Sequence, residues 1–336
     1  MQAQALITRE DQSFELAPLA LPDPGPDEVL VRALLSGVSV GTEFRLIRGS
    51  LSWGPYPLCT GYQAVGTVER AGADVAGLAE GDLVYYRGGV GGTLDDGTPV
   101  SAVSGAHASR AVVKPEKRGI ALLPQTAPLE AASLFVMPSV GYHGVDLAAP
   151  ALGQTAVVNG CGLIGLGVVA ALVNRGTRVI AVDIAPRALQ AAKRLGADHA
   201  VNAADQDADE AVRRLAPDGA DVVFEATGIP AMLDRTVVWC RRFGTFVWQG
   251  NYGAEPVSIH FLLPHGRQVR AVFPCDDGGP PCRAAVVKHM ATGRLPWADL
   301  ITHRLAPADA PAFYAALLDG SQTDHLAVVI DWRQTS

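Results

Sequence analysis

The chain has no cysteine pair at C-x-x-C spacing, no long unbroken apolar run and no cluster of basic residues. Each absence removes a class of protein. The cysteines (Cys59, Cys161, Cys240, Cys275 and Cys282) are odd in number and scattered, which argues against a disulfide framework and for a reducing compartment. Net charge is −7, and the 27 Lys and Arg are dispersed, so neither nucleic acid nor an anionic membrane surface is an expected partner. The most apolar stretch, 155–173, is broken by four glycines and an asparagine and does not read as a membrane span. Arg9, Glu10 and Asp11 stand where an export signal would need an apolar core, so the expectation is a cytoplasmic protein. What is plentiful is hydrophobic residues, 49% of 336, enough for two domains with substantial cores.

Glycine is the informative residue. An apolar run at 155–158 reads as a strand, 163–173 reads as a helix closed by Gly176, and between them lie Gly160, Cys161, Gly162, Leu163, Ile164 and Gly165. This G-x-G-x-x-G spacing gives a tight turn, a close backbone approach to a diphosphate and close helix–strand packing. The helix N-terminus adds amide donors and positive dipole. A second strand, 178–182, ends on Asp183, about 20 residues on, as a dinucleotide fingerprint requires. A carboxylate there accepts the ribose hydroxyls and repels a 2′-phosphate, which favours NAD over NADP. Two alternatives stay open: Asp183 as a turn residue, and Arg187, close to Ile184, as a partner for a 2′-phosphate.

Short β-type runs at 28–35, 64–68, 83–86 and 111–114, separated by turn residues, predict a small antiparallel barrel in the first 120 residues. Beyond 129 the pattern changes. Helices at 186–195 and 231–242 alternate with strands at 221–226, 245–249 and 269–273, which predicts a doubly wound parallel sheet. A helix at 307–318 and a strand at 327–331 follow. Residues 88–106, rich in Gly, Ser and Thr, are expected to form a mobile surface loop. The expected division is 1–125, 126–295 and a return at 296–336, an α/β chain throughout.

That order, together with the strings at 24–31, 61–66, 81–84 and 300–304, resembles the medium-chain dehydrogenase/reductase (alcohol dehydrogenase-like) superfamily along nearly the whole length. The resemblance implies a GroES-like β-barrel catalytic domain plus a Rossmann nucleotide-binding domain. Its finer match, through 37–43 and 61–63, is to the bacteriochlorophyllide-type dehydrogenase subgroup. Zinc-dependent members hold catalytic zinc at positions occupied here by Ser39, Tyr62, Gln63 and about Val136, none of them a good zinc ligand. The four-cysteine lobe for structural zinc is missing too, since 87–112 contains no cysteine. The resemblance therefore implies a zinc-free branch with no metal. A replacement site from Cys59, His107 and His143 lacks ligand spacing.

Without a metal, a protein group must donate to the carbonyl oxygen or accept the alcohol proton. Tyr62 leads, since it takes the place of a zinc-binding histidine; its usual value of ~10 needs a nearby cation or donor to lower it. Thr42, Glu43 and Ser39 are the other candidates, with Glu43 also suited to holding a backbone turn. His143, placed with the substrate pocket, is a backup acid/base or a hydrogen-bonded residue that begins the helix into the nucleotide domain. Further nucleotide contacts carried over by position are Ala226, Thr227 and Gly228, then Gln249, Gly250 and Asn251, then Phe273. Phe44, Trp53 and Tyr56 would wall the substrate pocket or belong to the core. The expected activity is NAD(H)-dependent interconversion of a secondary alcohol and a ketone by a homodimer or homotetramer, with an edge strand at 268–273 pairing across a two-fold axis. Two other readings stay open: a zinc-free enoyl or quinone reductase using NADPH, and a non-catalytic nucleotide-binding relative.

Overall fold

The computed structural model describes residues 1–102, 105–115 and 119–335. Contacts divide the chain into two units, Met1–Phe135 with Val287–Ser336, and Val136–Val286. Among the described residues no helix is long and apolar enough to cross a membrane.

The first unit contains β1 (Gln2–Thr8), β2 (Phe14–Ala20), β3 (Val29–Gly37), α1 (Val40–Ile47), β4 (Leu58–Cys59), β5 (Ala64–Ala71), β6 (Leu83–Tyr86), β7 (Gly92–Thr93), β8 (Pro99–Ala102), β9 (Arg110–Val113), β10 (Ile120–Leu122) and α2 (Leu129–Ala132). Period-two alternation sorts β1: Ala3, Ala5 and Ile7 enter a core with Leu19, Cys59, Val100 and Val112. Leu6 points the other way, into a core with Phe44, Tyr314 and Ile330. Strands β1-β2-β7-β8-β4 close a small barrel.

Residues 88–102 correct an expectation made for 88–106, of which 103 and 104 lie outside the described residues. Instead of a mobile loop, β7 and β8 form a hairpin across Asp95, Asp96 and Gly97; β7 joins β2 at Ala20, and β8 joins β4. Gly97 takes φ +85°, and Thr98 N–H donates to Asp96 Oδ1 at 2.9 Å. The reason is burial: Leu94 and Val100 are apolar anchors in an otherwise polar stretch and enter the barrel core.

The second unit opens with α3 (Val136–Ala148), then alternates β11 (Thr155–Asn159), α4 (Leu163–Asn174), β12 (Arg178–Asp183), α5 (Pro186–Arg194), β13 (His199–Asn202), α6 (Ala208–Leu215), β14 (Ala220–Glu225), α7 (Ala231–Val237), β15 (Cys240–Trp248), α8 (Leu262–Arg267) and β16 (Arg270–Val272). The sheet is parallel in order β13-β12-β11-β14-β15-β16. Ala156, Val157 and Val158 of β11 are fully buried, as a strand covered on both faces demands. Strand order reverses between β12-β11 and β14-β15, so the carboxyl ends of β11 and β14 flank the crevice where open α/β sheets bind ligands. Helices α3 and α4 approach through glycine: a Cβ on Gly141 would lie 2.4 Å from Val168 N.

Two more expectations change. The helix at 231–242 stops at Val237, because the segment from Cys240 pairs with Ala220 of β14, and Arg241 Nε donates to Asp221 Oδ1 at 2.7 Å. Sheet pairing overrides helical periodicity there. His143 lies within α3, which begins seven residues earlier at Val136, and its ring packs against Gly278 rather than capping a helix. After α9 (Gly279–Ala291) the chain completes the first unit with β17 (Ile301–Leu305), α10 (Ala310–Asp319) and β18 (Ala327–Asp331). Strands β10-β6-β5-β3-β18-β17 make its second sheet, and β9 also pairs with β3.

Candidate active site

The nucleotide cradle is main chain. Gly160 turns at φ +91°, where a side chain is strained, and a Cβ there would meet Thr227 N at 2.9 Å. On Gly165 a Cβ would lie 1.8 Å from Gly160 O, so α4 sits directly under the turn. Gly162 differs: a Cβ would meet nothing within 4 Å, leaving the exposed amides at the start of α4 open to an anion. Leu163 and Ile164 begin that helix half-buried, while Cys161 is fully buried and its thiol is pushed beyond the usual range by burial. Asp183 ends β12. Its Oδ2 accepts Cys161 N–H at 2.6 Å and its Oδ1 accepts Ala185 N–H at 2.8 Å, which fastens the carboxylate to the turn. Ile184, 69% exposed, and exposed Arg187 follow it. These features suit a dinucleotide: a glycine turn, open amides and an acid at the next strand end.

A buried carboxylate that sequence reasoning passed over completes this end of the sheet. Glu225, the last residue of β14, accepts Asn159 Nδ2–H at 3.2 Å and Thr227 N–H at 3.0 Å, and also the Thr227 and Tyr252 hydroxyls. It thereby shapes the Ala226-Thr227-Gly228 loop beside Gly160. Gly228 itself turns at φ +69° against Asn251 O. The Gln249 side chain donates to Val140 O of α3 at 3.2 Å and is held inside the unit, Gly250 follows it half-buried, and Asn251 is exposed, its Oδ1 accepting Gly253 N–H at 3.0 Å. Phe273 is 65% exposed and lies 5.1 Å from Trp248, ring to ring.

In the first unit, hydroxyls converge. Ser39 precedes α1, Thr42 lies in its first turn, and Tyr62 follows the left-handed Gly61 before β5. Tyr62 Oη donates to Ser39 Oγ at 2.5 Å and is hydrogen-bonded by Thr42. Burial pushes the Tyr62 phenol up to about 12, against the pull of the Ser39 and Thr42 hydroxyls; the Glu43 carboxylate adds to the rise, and the Arg87 guanidinium opposes it. The lowering that a role as base would need is therefore not met. Tyr62 stays protonated and serves as a donor, because loss of water outweighs the neighbouring cation.

Beneath these hydroxyls lies a polar centre with no exposure. Glu43 Oε1 accepts Ser39 N–H at 2.7 Å, which holds the turn into α1. Its Oε2 accepts Tyr314 O–H at 2.7 Å, Thr60 O–H at 3.2 Å and His107 Nε2 at 3.0 Å. Ser36 Oγ accepts Trp332 Nε1–H at 2.9 Å and is hydrogen-bonded to His107 Nδ1 at 2.8 Å, while His107 Nε2 faces Glu43 at 3.0 Å and the Tyr314 hydroxyl at 2.9 Å. Gly61 makes room for this: a Cβ there would lie 2.7 Å from the His107 ring. Burial, then the Glu43 charge, drives the Tyr314 phenol far above its ordinary range. His107, Tyr314 and Trp332 carried no sequence signal for this role beyond the glycine at 61.

The proposed pocket residues separate. Phe44 is 3% exposed and stacks on Tyr314 at 5.5 Å, so packing occupies it. Tyr56 donates to the Leu46 and Ile47 carbonyls at 3.0 and 2.9 Å, capping α1. Trp53 is 53% exposed.

Two family models match: "Alcohol dehydrogenase GroES-like domain" over residues 25–124 and "Zinc-binding dehydrogenase" over residues 164–290. The erythritol/L-threitol dehydrogenase of Mycolicibacterium smegmatis is 27% identical over 90% of both chains. The 2-desacetyl-2-hydroxyethyl bacteriochlorophyllide A dehydrogenase of Cereibacter sphaeroides is 28% identical over the full length of both. The benzyl alcohol dehydrogenase structure from Acinetobacter calcoaceticus superposes with TM-score 0.85 at 21% identity, covering 98% of this chain and 99% of that one. The second model's description raises zinc, and the donor set does not fit it. Ser39 and Tyr62 present hydroxyl oxygens that already hydrogen-bond each other, and the buried Gln63 amide is turned to Gly37 O at 3.5 Å. None of these three residues supplies a thiolate or an imidazole. The barrel unit, the parallel-sheet unit with its glycine cradle, and the two matching models together establish that the chain belongs to the medium-chain dehydrogenase/reductase superfamily.

Proposed function

We propose that the chain is a zinc-independent, NAD(H)-dependent alcohol oxidoreductase interconverting a secondary alcohol and a ketone. The carrying observation is the Thr42–Tyr62–Ser39 hydroxyl chain, in which Tyr62 donates to Ser39 and Ser39 keeps its own proton for a substrate oxygen. When bound, NAD supplies the hydride acceptor or donor at its nicotinamide ring. The cradle at Gly160, Gly162 and Gly165 would bind the diphosphate, and Asp183 would receive the ribose hydroxyls, which favours NAD. In ketone reduction Ser39 would donate a hydrogen bond to the oxygen as it gains charge and Tyr62 would donate to Ser39, the net proton being taken from water; in oxidation the proton would be returned to water. Glu43 orients Ser39 through its amide. The alcohol and polyol substrates named for the relatives support a small hydroxyl-bearing substrate.

A homodimer is part of the same reading. The outer strand β16 has a neighbour on one side only. Ile259, Phe261 and Phe273 are exposed around an apolar cavity of about 360 Å³ in the same unit, and Leu262 is exposed next to Phe261. A second copy would cover that edge. The five free cysteines favour a reducing, cytoplasmic setting.

The test is turnover after exhaustive chelation. NADH-linked conversion of secondary alcohols and ketones should persist with metal removed. Activity that vanishes on chelation and returns with zinc would overturn the metal-free reading. Faster NADPH-dependent reduction of enones would replace it with the reductase alternative.

A further inference from the structure

Hydride leaves an alcohol readily only when its oxygen carries negative charge, and something positive must stabilise that oxygen. Hydroxyl groups donate but carry no net charge. The cation standing against the hydroxyl chain is Arg87, whose guanidinium carbon lies 5.6 Å from the centre of the Tyr62 ring. Its position is built in. Tyr86, the residue before it, is fully buried, its own amide donates to Gly119 O at 3.0 Å, and Gly88 turns the chain immediately after at φ +75°. The buried Glu43 carboxylate works against negative charge at Tyr62, and the Arg87 guanidinium favours it.

We propose that Arg87 is the electrostatic partner of the hydroxyl chain: acting through Tyr62, it stabilises the charge that builds on the substrate oxygen and fills the role a metal cation has in zinc-dependent enzymes. Arg87 is thus a positioning residue for charge rather than a catalytic residue. Its planar guanidinium lies over an aromatic face, where a cation is held by the ring while its charge still reaches the hydroxyl. A divalent cation placed beside it would meet repulsion, in keeping with the poor donor set at Ser39 and Tyr62.

The inference rests on the dehydrogenase reading, and wild-type turnover of an alcohol is the control for that reading. Arg87→Gln should lower kcat for alcohol oxidation by about 10- to 100-fold, with KM within about threefold, because the interaction strengthens in the transition state. Arg87→Lys, which keeps the charge, should restore most of the rate. In a Tyr62→Phe background the same Arg87→Gln change should cost less than about twofold, since its route is gone. Should Arg87→Gln unfold, Arg87→Met, which keeps the apolar stem over the ring, takes its place in both backgrounds. With wild-type turnover present, an unchanged kcat in Arg87→Gln overturns this inference alone. So does a raised KM at unchanged kcat, which would make Arg87 a binder of substrate anions. An equal loss in both backgrounds also overturns it.

Discussion

In the parallel-sheet unit the proposed working groups are main-chain amides, held by three glycines within six residues, Gly160 to Gly165. In the barrel unit they are side chains gathered from far apart: Ser39, Thr42, Tyr62 and Arg87, with Glu43, His107 and Tyr314 beneath them. The difference is one of what the ligand demands. A diphosphate is the same in every dinucleotide, so a fixed backbone cradle serves it. A reacting alcohol needs a donor whose protonation and charge environment are tuned, and only side chains offer that.

Tyr62→Phe presses hardest on the side-chain half. Turnover should fall by roughly 10²–10³, while NADH binding, measured by fluorescence titration, stays unchanged. Because burial holds the phenol near 12, ketone reduction in the wild type should be insensitive to this group between about pH 6 and 10. A rate that drops across that window through Tyr62 would mean the group is not the donor.

The backbone half has a paired test. Gly165→Ala forces a Cβ to within 1.8 Å of Gly160 O. Overpacking of about 1–3 kcal/mol should weaken NADH binding by about 10- to 100-fold. Gly162→Ala meets no protein atom within 4 Å, so its melting temperature should match wild type while NADH binding loses about tenfold, the new methyl taking ligand space. Undiminished affinity in both variants would show that the cradle is not the diphosphate site.

Tyr314→Phe is the mildest. It removes one donor from the buried Glu43 carboxylate, a loss of about 1–3 kcal/mol in stability readable by denaturant titration. Turnover should change by less than about tenfold, because the phenol orders the carboxylate and does not meet substrate. A stability equal to wild type would mean Glu43 finds another partner.

Legibility followed the same division. The strands at 83–86 and 327–331 and the helix start at Leu163 were readable because local periodicity and glycine spacing specify them. The hairpin at 92–102 was not, since its two buried anchors, Leu94 and Val100, are diluted among turn residues. Nor was the early end of α7, where pairing with β14 decides the matter. Ser39 and Tyr62 are candidates through their positions in a family pattern. His107 and Tyr314 are not, because they reach Glu43 across 64 and 271 residues of sequence, and such contacts leave no local spacing to detect. Arg87 and Glu225 were single charged residues at strand ends, indistinguishable in sequence from solvated ones.

The polar centre under the hydroxyls takes Tyr314 and Trp332 from the final stretch of the polypeptide, while residues 136–286 form a unit contiguous in sequence. During synthesis the nucleotide half has all its parts long before the barrel half receives its last two. A released chain truncated near residue 300 would keep the residues of the glycine cradle yet hold Glu43 and His107 without Tyr314 and Trp332, so the polar centre is the later of the two to close.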